Sequence, residues 1–274
     1  MVRYLYQVLR GGPPEQVFAQ ILAGFELTRR DPRVVGFNLV QPEDDPIPMG
    51  DFTLHMAMID SLHRLYPDVP ITLHAGELAE GLVPREGLRS HIRTSIRQGR
   101  ARSFGHGVSV IHEDDPLNLL REMAERRVLV EIALSSNDVI LSVRGAHHPL
   151  ATYLRHGVPV ALVTDDEGVL RSDLTREFRR AVDEQEVDYP TLKGMVRNSL
   201  QYAFAEGESL WRDARTFTPV PPCSTARGGL MGPACRAFVG ANLKARLQWE
   251  LERALQSFEA SRATVARARP VRRP

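Results

Sequence analysis

Cysteine is scarce in this sequence, and its scarcity excludes several kinds of fold. The 274 residues contain two cysteines, Cys223 and Cys235, which lie in a segment rich in proline and glycine. Two cysteines can form at most one bridge, so a disulfide framework is excluded. Their spacing also rules out a Cys-x-x-Cys metal or redox pair.

Long apolar runs and an excess of one charge are lacking as well. No apolar run reaches the length of a membrane span, and the first residues do not have the layout of a secretory signal. The formal net charge is +1, which gives no long-range field to attract nucleic acid or an anionic membrane. We therefore expect the chain as written to be cytoplasmic, whereas a longer form could be exported. We also expect no nucleic-acid or membrane partner. The sequence does not indicate whether the protein is a monomer or an oligomer.

What the sequence does contain is an alternation of short β-type runs and segments of helical periodicity, which is typical of parallel βαβ units. Six strands are expected, at residues 4–9, 34–40, 71–73, a short run ending near 104, 128–133 and 158–163. The periodicity fits both an open doubly wound sheet and an incomplete barrel. A Gly-rich turn after an early strand, typical of a doubly wound nucleotide binder, is missing.

Changes in composition divide the chain into four parts. Residues 1–210 carry the βα units, and residues 211–241 are rich in proline and glycine and predict a loop. Leucines at helical spacing predict a C-terminal helix over 242–260 that packs on the barrel. Residues 261–274 hold five arginines among alanine and proline and predict a basic disordered tail.

Polar side chains follow the C-terminal ends of several predicted strands. The first group is His74-Ala75-Gly76-Glu77. An imidazole can ligate a metal through a neutral nitrogen, and a carboxyl three positions later can exchange a proton in the same cavity. Gly76 allows a tight turn and the close approach of a ligand to the backbone. A His-x-x-Glu pair also occurs in ordinary polar loops, so this group alone does not establish a site.

Two further groups follow later strands. Glycines flank His106 and favour a backbone that directs its ring, although a buried, hydrogen-bonded histidine is the alternative. Asp165 and Asp166 are adjacent carboxylates, which repel unless a cation or a donor neutralises one of them. In a concave site, the pair suggests that one carboxylate ligates a metal and the other accepts a hydrogen bond from the substrate. The alternative is an acidic loop exposed to solvent, which has no metal and no substrate. In a barrel enzyme such strand ends share one site.

Taken in order, these groups resemble the adenosine deaminase family of the amidohydrolase superfamily. The resemblance spans about residues 4–210, and its landmarks are His-Ala-Gly-Glu at 74–77, Gly-His-Gly at 105–107, Ser-Ser-Asn at 135–137, His-Pro at 148–149 and Thr-Asp-Asp at 164–166. It implies an α/β fold, an incomplete TIM (β/α)8-type barrel of about six strands. It also implies hydrolysis of adenosine, a purine nucleoside, to inosine and ammonia, with one Zn²⁺ ion as cofactor.

The resemblance further implies a role for each residue of the site. His74 and Asp165 would ligate the metal, and His106 would orient the metal-bound water and help deprotonate it. Glu77 would protonate the purine ring nitrogen next to the attacked carbon. Asp166 would accept a hydrogen bond from the far side of the purine. To donate its proton, Glu77 must be neutral, so its pKa should be raised by burial and nearby carboxylates.

The sequence departs from the family pattern in two places. Family members have a strand ending in His-x-His whose imidazoles complete the metal site, and no such pair occurs among the nine histidines here. We therefore expect weak metal binding and low or no activity, whether the chain is a fragment of a longer deaminase or a genuinely shortened protein. Gln41 stands where many members have glycine, and its side chain adds bulk where the base approaches.

Three functions consequently remain open at this point. The first is deamination of a purine-like 6-amino substrate such as adenosine, with Gly76 and Gln41 beside the substrate. The second is deamination of AMP or a modified adenine by the same chemistry. The third is a non-catalytic barrel that binds a purine or a partner protein without turnover. The Pro-Cys-x-x-Cys ligands of cytidine deaminases are lacking, which sets that fold aside.

Overall fold

The computed structural model of the protein describes residues 2–225 and 230–268, in two units, Met1–Phe204 and Ala205–Pro274. The first unit contains six parallel strands: β1 (Tyr4–Leu9), β2 (Val34–Val40), β3 (Thr72–Ala75), β4 (Ser103–His106), β5 (Leu129–Ile132) and β6 (Val160–Leu162). Each lies where the apolar runs of the sequence predict a strand, with bounds that differ by one or two residues after β2.

The strands neighbour one another in the order of the chain. β1 pairs with β2, a parallel bridge between Phe37 and Ile71 joins β2 to the segment entering β3, and β3 to β6 form a four-stranded sheet. A doubly wound sheet reverses its strand order partway across, and this sheet does not. Constant order is the arrangement of a barrel wall. The fold is therefore an incomplete barrel of six parallel strands, as the family resemblance implies.

Helices follow the strands and cover their outer face. They are α1 (Pro14–Arg30), α2 (Pro46–Gly50), α3 (Phe52–Leu65), α4 (His91–Arg97), α5 (Pro116–Arg126), α6 (Leu134–Leu141), α7 (Leu150–Arg155), α8 (Glu167–Leu170), α9 (Leu174–Gln185) and α10 (Tyr189–Tyr202). Proline in the first turn starts α1, and Val17, Ile21 and Phe25 recur at helical spacing and are fully buried.

The apolar core of this unit lies between the strands and the helices. One cluster joins α1 and α3 to β1 and β2, and a second joins the later helices to β4, β5 and β6. Because apolar side chains face outward to the helices, alternate polar side chains of the strands face the inner side of the wall. The inner side therefore carries polar chemistry, as at Asn38, His74 and Glu131.

Two details of the helices differ from the sequence prediction. The segment 134–141 was not predicted to be helical, and it forms α6, whose first turn is held by the Glu177 carboxylate accepting from the Ser135 N–H at 3.2 Å. In α9, the apolar pattern predicts that Leu174 and Val182 face inward with Ala181, but Leu174 and Val182 are each 46% exposed. The buried positions include Glu177 and Arg180 instead, because these side chains bond to α6 and its neighbours.

The second unit is built around a disulfide between Cys223 and Cys235. It contains a short antiparallel pair, β7 (Trp211–Asp213) and β8 (Thr218–Pro219), and two helices, α11 (Pro233–Ala241) and α12 (Leu243–Ala268). The bridge lies in a small apolar cluster with Trp211 and Val239. The single bridge that the two cysteines permit is therefore present.

The predicted divisions of the C-terminal part need correction. The barrel unit ends at Phe204 rather than at residue 210. Residues 211–241 are not all loop, because Pro233 is a suitable first-turn residue and starts α11. Residues 261–268 were predicted to be disordered but continue α12, since alanine and arginine have high helix propensity. Residues 269–274 lie outside the described residues, and packing of this helix on the barrel stays a prediction.

Within the described part of the chain, no helix has both the length and the apolarity that a membrane span requires.

Candidate active site

Three strand ends bring together a set of metal-ligating groups. His74 lies in β3, His106 is the last residue of β4, and Asp165 follows β6 by three residues. One ligand atom of each side chain lies within 4.8 Å of the others. Two imidazoles and one carboxylate at this spacing can share one divalent cation. The sequence placed all three at strand ends, and the structure brings them to one point.

His74 is oriented by Asn38, a neighbour on β2. The two side-chain amide atoms of Asn38 lie 2.9 and 3.2 Å from His74 Nδ1. Burial, with the nearby His106 and Arg10 adding to it, lowers the pKa of His74 to about 4. The ring is therefore neutral near pH 7, and the tautomer whose Nδ1–H donates to Asn38 Oδ1 leaves the Nε2 lone pair for a metal.

Asp165 is held by a hydroxyl from α6. Ser136 Oγ donates to Asp165 Oδ2 at 2.6 Å, which leaves Oδ1 for another partner. The sequence singled out the Ser135-Ser136-Asn137 segment without giving it a role. Its contact with Asp165 could not be predicted, because it depends on the three-dimensional placement of α6 beside the segment that follows β6.

Glu77 lies in surroundings that oppose its ionised form. Its side chain is 11% exposed, and burial, together with the carboxylates of Asp165 and Glu43, raises the pKa of Glu77 to about 8. Glu77 Oε1 is 3.5 Å from His106 Nδ1, and burial also lowers the pKa of His106. Both groups are therefore neutral near pH 7, so this contact is not an ion pair.

The turn carrying Glu77 is fixed by a buried carboxylate that the sequence did not assign to the site. Glu43 accepts from the Gly76 N–H at 3.1 Å, from the Glu77 N–H at 2.8 Å and from His91 Nδ1 at 2.6 Å. Gly76 has a φ of 72°, and a Cβ there would lie 2.7 Å from Ile92. Glycine is thus required for the turn. Because its N–H is already donated to Glu43, Gly76 offers no free backbone donor to a substrate.

Three strand-end residues of the site have a positive φ, as do seven other non-glycine residues of the described chain, four of which directly follow a helix. Gln41 after β2, His106 at the end of β4 and Asp165 after β6 have φ values of 124°, 73° and 55°. Residues other than glycine rarely adopt such φ values. Residues in strained conformations are often found where function requires a fixed geometry. The fixed backbone at these three positions is therefore part of the geometry of the site.

The cluster opens into a cavity of about 330 Å³. Its walls include Gln41, Ile140, Asp166 and Glu77, and it shares His74 and Asp165 with a smaller cavity of about 190 Å³ on the inner side of the sheet. Four carboxylates line the larger cavity, and among the described residues no lysine or arginine does. Gln41 lies in this wall, and its side-chain Nε2 donates to Asp45 Oδ2 at 3.0 Å.

Comparison with known proteins gives consistent matches. A family model described as adenosine deaminase matches residues 1–211. An adenosine deaminase from Enterococcus faecalis is 30% identical over 176 residues, which are 64% of this chain and 47% of that protein. The chain thus spans about half the length of this curated relative.

Solved structures give matches that show the fold. The Arabidopsis N6-mAMP deaminase superposes with a TM-score of 0.59 at 24% identity, covering 75% of this chain and 55% of that one. A cog1816 amidohydrolase from Burkhoderia ambifaria, with bound Zn, superposes with a TM-score of 0.58 at 16% identity, covering 74% of this chain and 52% of that one.

Proposed function

The chain belongs to the adenosine deaminase family, and from this we propose that its site serves the hydrolytic deamination of a 6-aminopurine nucleoside, giving inosine and ammonia from adenosine. The observation that carries the proposal is the convergence of His74, His106 and Asp165 within 4.8 Å beside the protonated Glu77. A metal site next to a neutral carboxyl supplies both a nucleophile and a proton donor.

The donor set fits a divalent zinc ion. His74 and Asp165 would hold it, since imidazole nitrogen and carboxylate oxygen are both common Zn²⁺ ligands. When bound, such an ion lowers the pKa of a coordinated water and so makes a nucleophile available near neutral pH. Catalytic zinc sites commonly use three protein ligands, so two would bind weakly. The bound Zn in the Burkhoderia ambifaria relative supports the choice of metal.

Glu77 would act on the substrate as a general acid. With its pKa raised to about 8, it carries a proton near pH 7 and can donate it to the ring nitrogen beside the attacked carbon. Addition of water to that carbon would give a tetrahedral centre, and one proton of the water would return to the Glu77 carboxylate. The remaining hydroxyl proton would pass to the amino group, which leaves as ammonia while the carbonyl forms. His106 would orient the attacking water, and Asp166 would accept a hydrogen bond from the far side of the purine.

The charge of the cavity favours a nucleoside over a nucleotide. Asp44, Glu77, Asp165 and Asp166 line it without a lysine or arginine among the described residues. A phosphate group would be repelled by the ionised members of this set. Deamination of AMP or a modified adenine remains the second candidate, because the Arabidopsis protein is an N6-mAMP deaminase.

The proposal is tested by incubating the purified chain with Zn²⁺ and adenosine and following the loss of adenosine absorbance together with ammonia release. We expect slow turnover, and Glu77→Gln should lower it by about 10²–10⁴-fold because the proton donor is lost. Glu80→Gln, an exposed carboxyl in the same loop, is the matched control and should keep the rate. AMP should react more slowly than adenosine.

Two results would count against the proposal. Full activity in Glu77→Gln would remove the assigned role of that residue. Absence of turnover despite bound Zn²⁺, with purine binding retained, would favour the non-catalytic purine-binding alternative.

A further inference from the structure

A row of buried hydrogen bonds runs from His106 away from the cavity. Asn137 Nδ2 lies 3.0 Å from His106 Nδ1, and Asn137 Oδ1 lies 3.0 Å from His148 Nε2. The row ends at the first turn of α7, where His148 Nδ1 lies 3.2 Å from the backbone nitrogen of Leu150. Asn137 is 0% exposed, and the two histidines are each 3% exposed. Water therefore has little access to any link of the row.

The direction of every bond in this row follows from its last member. A backbone N–H can only donate, so His148 Nδ1 must accept from Leu150. Burial, with Arg180 and His106 adding to it, lowers the pKa of His148 to about 4, so the ring is neutral and carries its single proton on Nε2. This proton is donated to Asn137 Oδ1, and the Asn137 amide then presents its N–H to His106 Nδ1.

We propose that Asn137 and His148 are positioning residues that hold the His106 ring as the tautomer with its proton on Nε2. Since Nδ1 accepts from Asn137, Nε2 is the nitrogen left to bear the proton. The inference deepens the proposed deaminase function, and its meaning for catalysis rests on that function. The hydrogen bonds themselves do not depend on it.

The contact with Glu77 agrees with this tautomer. Glu77 Oε1 lies 3.5 Å from the same Nδ1 atom. An ionised carboxylate would repel the nitrogen lone pair there, whereas a protonated carboxyl would not. A tautomer with the lone pair on Nδ1 is thus compatible with a neutral Glu77.

The consequence concerns the part that His106 plays beside the attacking water. A neutral ring with its proton on Nε2 has no lone pair at that atom to receive a proton. It can instead donate a hydrogen bond to an oxygen in the cavity that it lines. His106 thus directs the water by donation, which revises the expectation from the family resemblance that it takes the proton of the water.

The tautomers can be read directly in ¹⁵N-labelled, metal-free protein by two-bond ¹H–¹⁵N correlation spectra of the histidine rings. Signals of His106 and His148 are assigned from their absence in His106→Gln and His148→Gln. In the wild type, both rings are expected to carry the proton on Nε2. Observation of the His106 proton on Nδ1 would overturn the proposal.

Asn137→Asp gives the sharpest comparison, because it keeps the shape of the side chain and replaces the donor by an acceptor. We expect the His106 proton to appear on Nδ1, while His148 keeps its proton on Nε2. Asn198→Asp is the matched control, since Asn198 donates to the Val160 carbonyl at 2.9 Å elsewhere in the barrel. It should leave the His106 signals unchanged. An unchanged His106 spectrum in Asn137→Asp would contradict the proposal.

His148 is tested by a pair of variants. His148→Leu removes the donor that fixes the Asn137 amide, so His106 should show both tautomers. His148→Gln places a side-chain N–H near the position of His148 Nε2 and should restore the single wild-type tautomer of His106. Loss of that tautomer in His148→Gln but not in His148→Leu would contradict the proposed row of hydrogen bonds. None of these spectra requires turnover, so an inactive chain would leave the tautomer result intact, and a wrong tautomer would leave the deamination assay intact.

Discussion

At the scale of single residues, the protonation of Glu77 links stability to chemistry. The pKa of an ordinary glutamate is 4.5, and burial beside other carboxylates raises that of Glu77 to about 8 in the folded chain. At a pH between these two pKa values, Glu77 holds a proton in the folded state that it has released in the unfolded state. Stability therefore falls as the pH rises through this window, and it falls no further above the folded pKa.

Glu77→Gln should consequently stabilise the chain by an amount that grows with pH. The neutral amide removes the cost of keeping the carboxyl protonated, so we expect a gain near zero at about pH 5 and of about 1–3 kcal/mol at about pH 8. Urea unfolding of the metal-free protein at both values measures it. Glu80→Gln, at an exposed site, should show no such pH dependence. An equal gain for Glu77→Gln at both pH values would contradict the pKa assignment.

The sequence predicted the residues that face the cavity and missed those that hold them. His74, His106 and Asp165 were recognisable because each lies at the end of an apolar run, where barrel sites are found. Asn38 and Glu43 carry no such signal, and Asn137 belongs to the Ser-Ser-Asn landmark of the resemblance but received no role from it. An amide or carboxylate becomes a partner of the site only through strand pairing and helix placement, which depend on residues far away in the chain.

At the scale of secondary-structure elements, strands were easier to predict than short helices. Apolar runs identified all six barrel strands, since buried parallel strands are nearly continuous in apolar residues. Helix α6 was missed because its serines and asparagine are weak helix formers, and it is stabilised instead by Glu177 from α9. Helix α11 was missed because proline and glycine dominate its N-terminal flank.

The disulfide of the second unit gives a prediction at this scale. Replacing both Cys223 and Cys235 by serine should lower the stability of this unit by about 3 kcal/mol, because the bridge closes a loop over a separation of 12 residues. Hydrogen exchange of the α11 and α12 amides, followed by mass spectrometry, should become faster. The amides of β3 to β6 serve as the internal control and should keep their rates. Unchanged exchange in α11 would show that the bridge contributes little.

At the scale of the whole molecule, the site depends on the barrel order of the strands. His74 and Asp165 are about 90 residues apart in the sequence. They lie close together because β3, β4, β5 and β6 lie side by side in chain order. A cation shared by two of these strands would connect the two ends of the four-stranded sheet. Its binding energy would then add to the stability of the folded barrel unit, because the unfolded chain does not preform the site.

Zn²⁺ should therefore raise the melting temperature of the chain. An ion concentration of about five times Kd contributes about 1 kcal/mol, which corresponds to about 2–4 °C for a chain of this size. Asp165→Asn keeps an acceptor for Ser136 but loses the charged ligand, and its melting temperature should not respond to Zn²⁺. Asp166→Asn changes the adjacent carboxyl and should respond like the wild type. If the two variants respond alike, or the wild type does not respond, Asp165 is not a metal ligand, and the convergence of β3 and β6 serves another purpose.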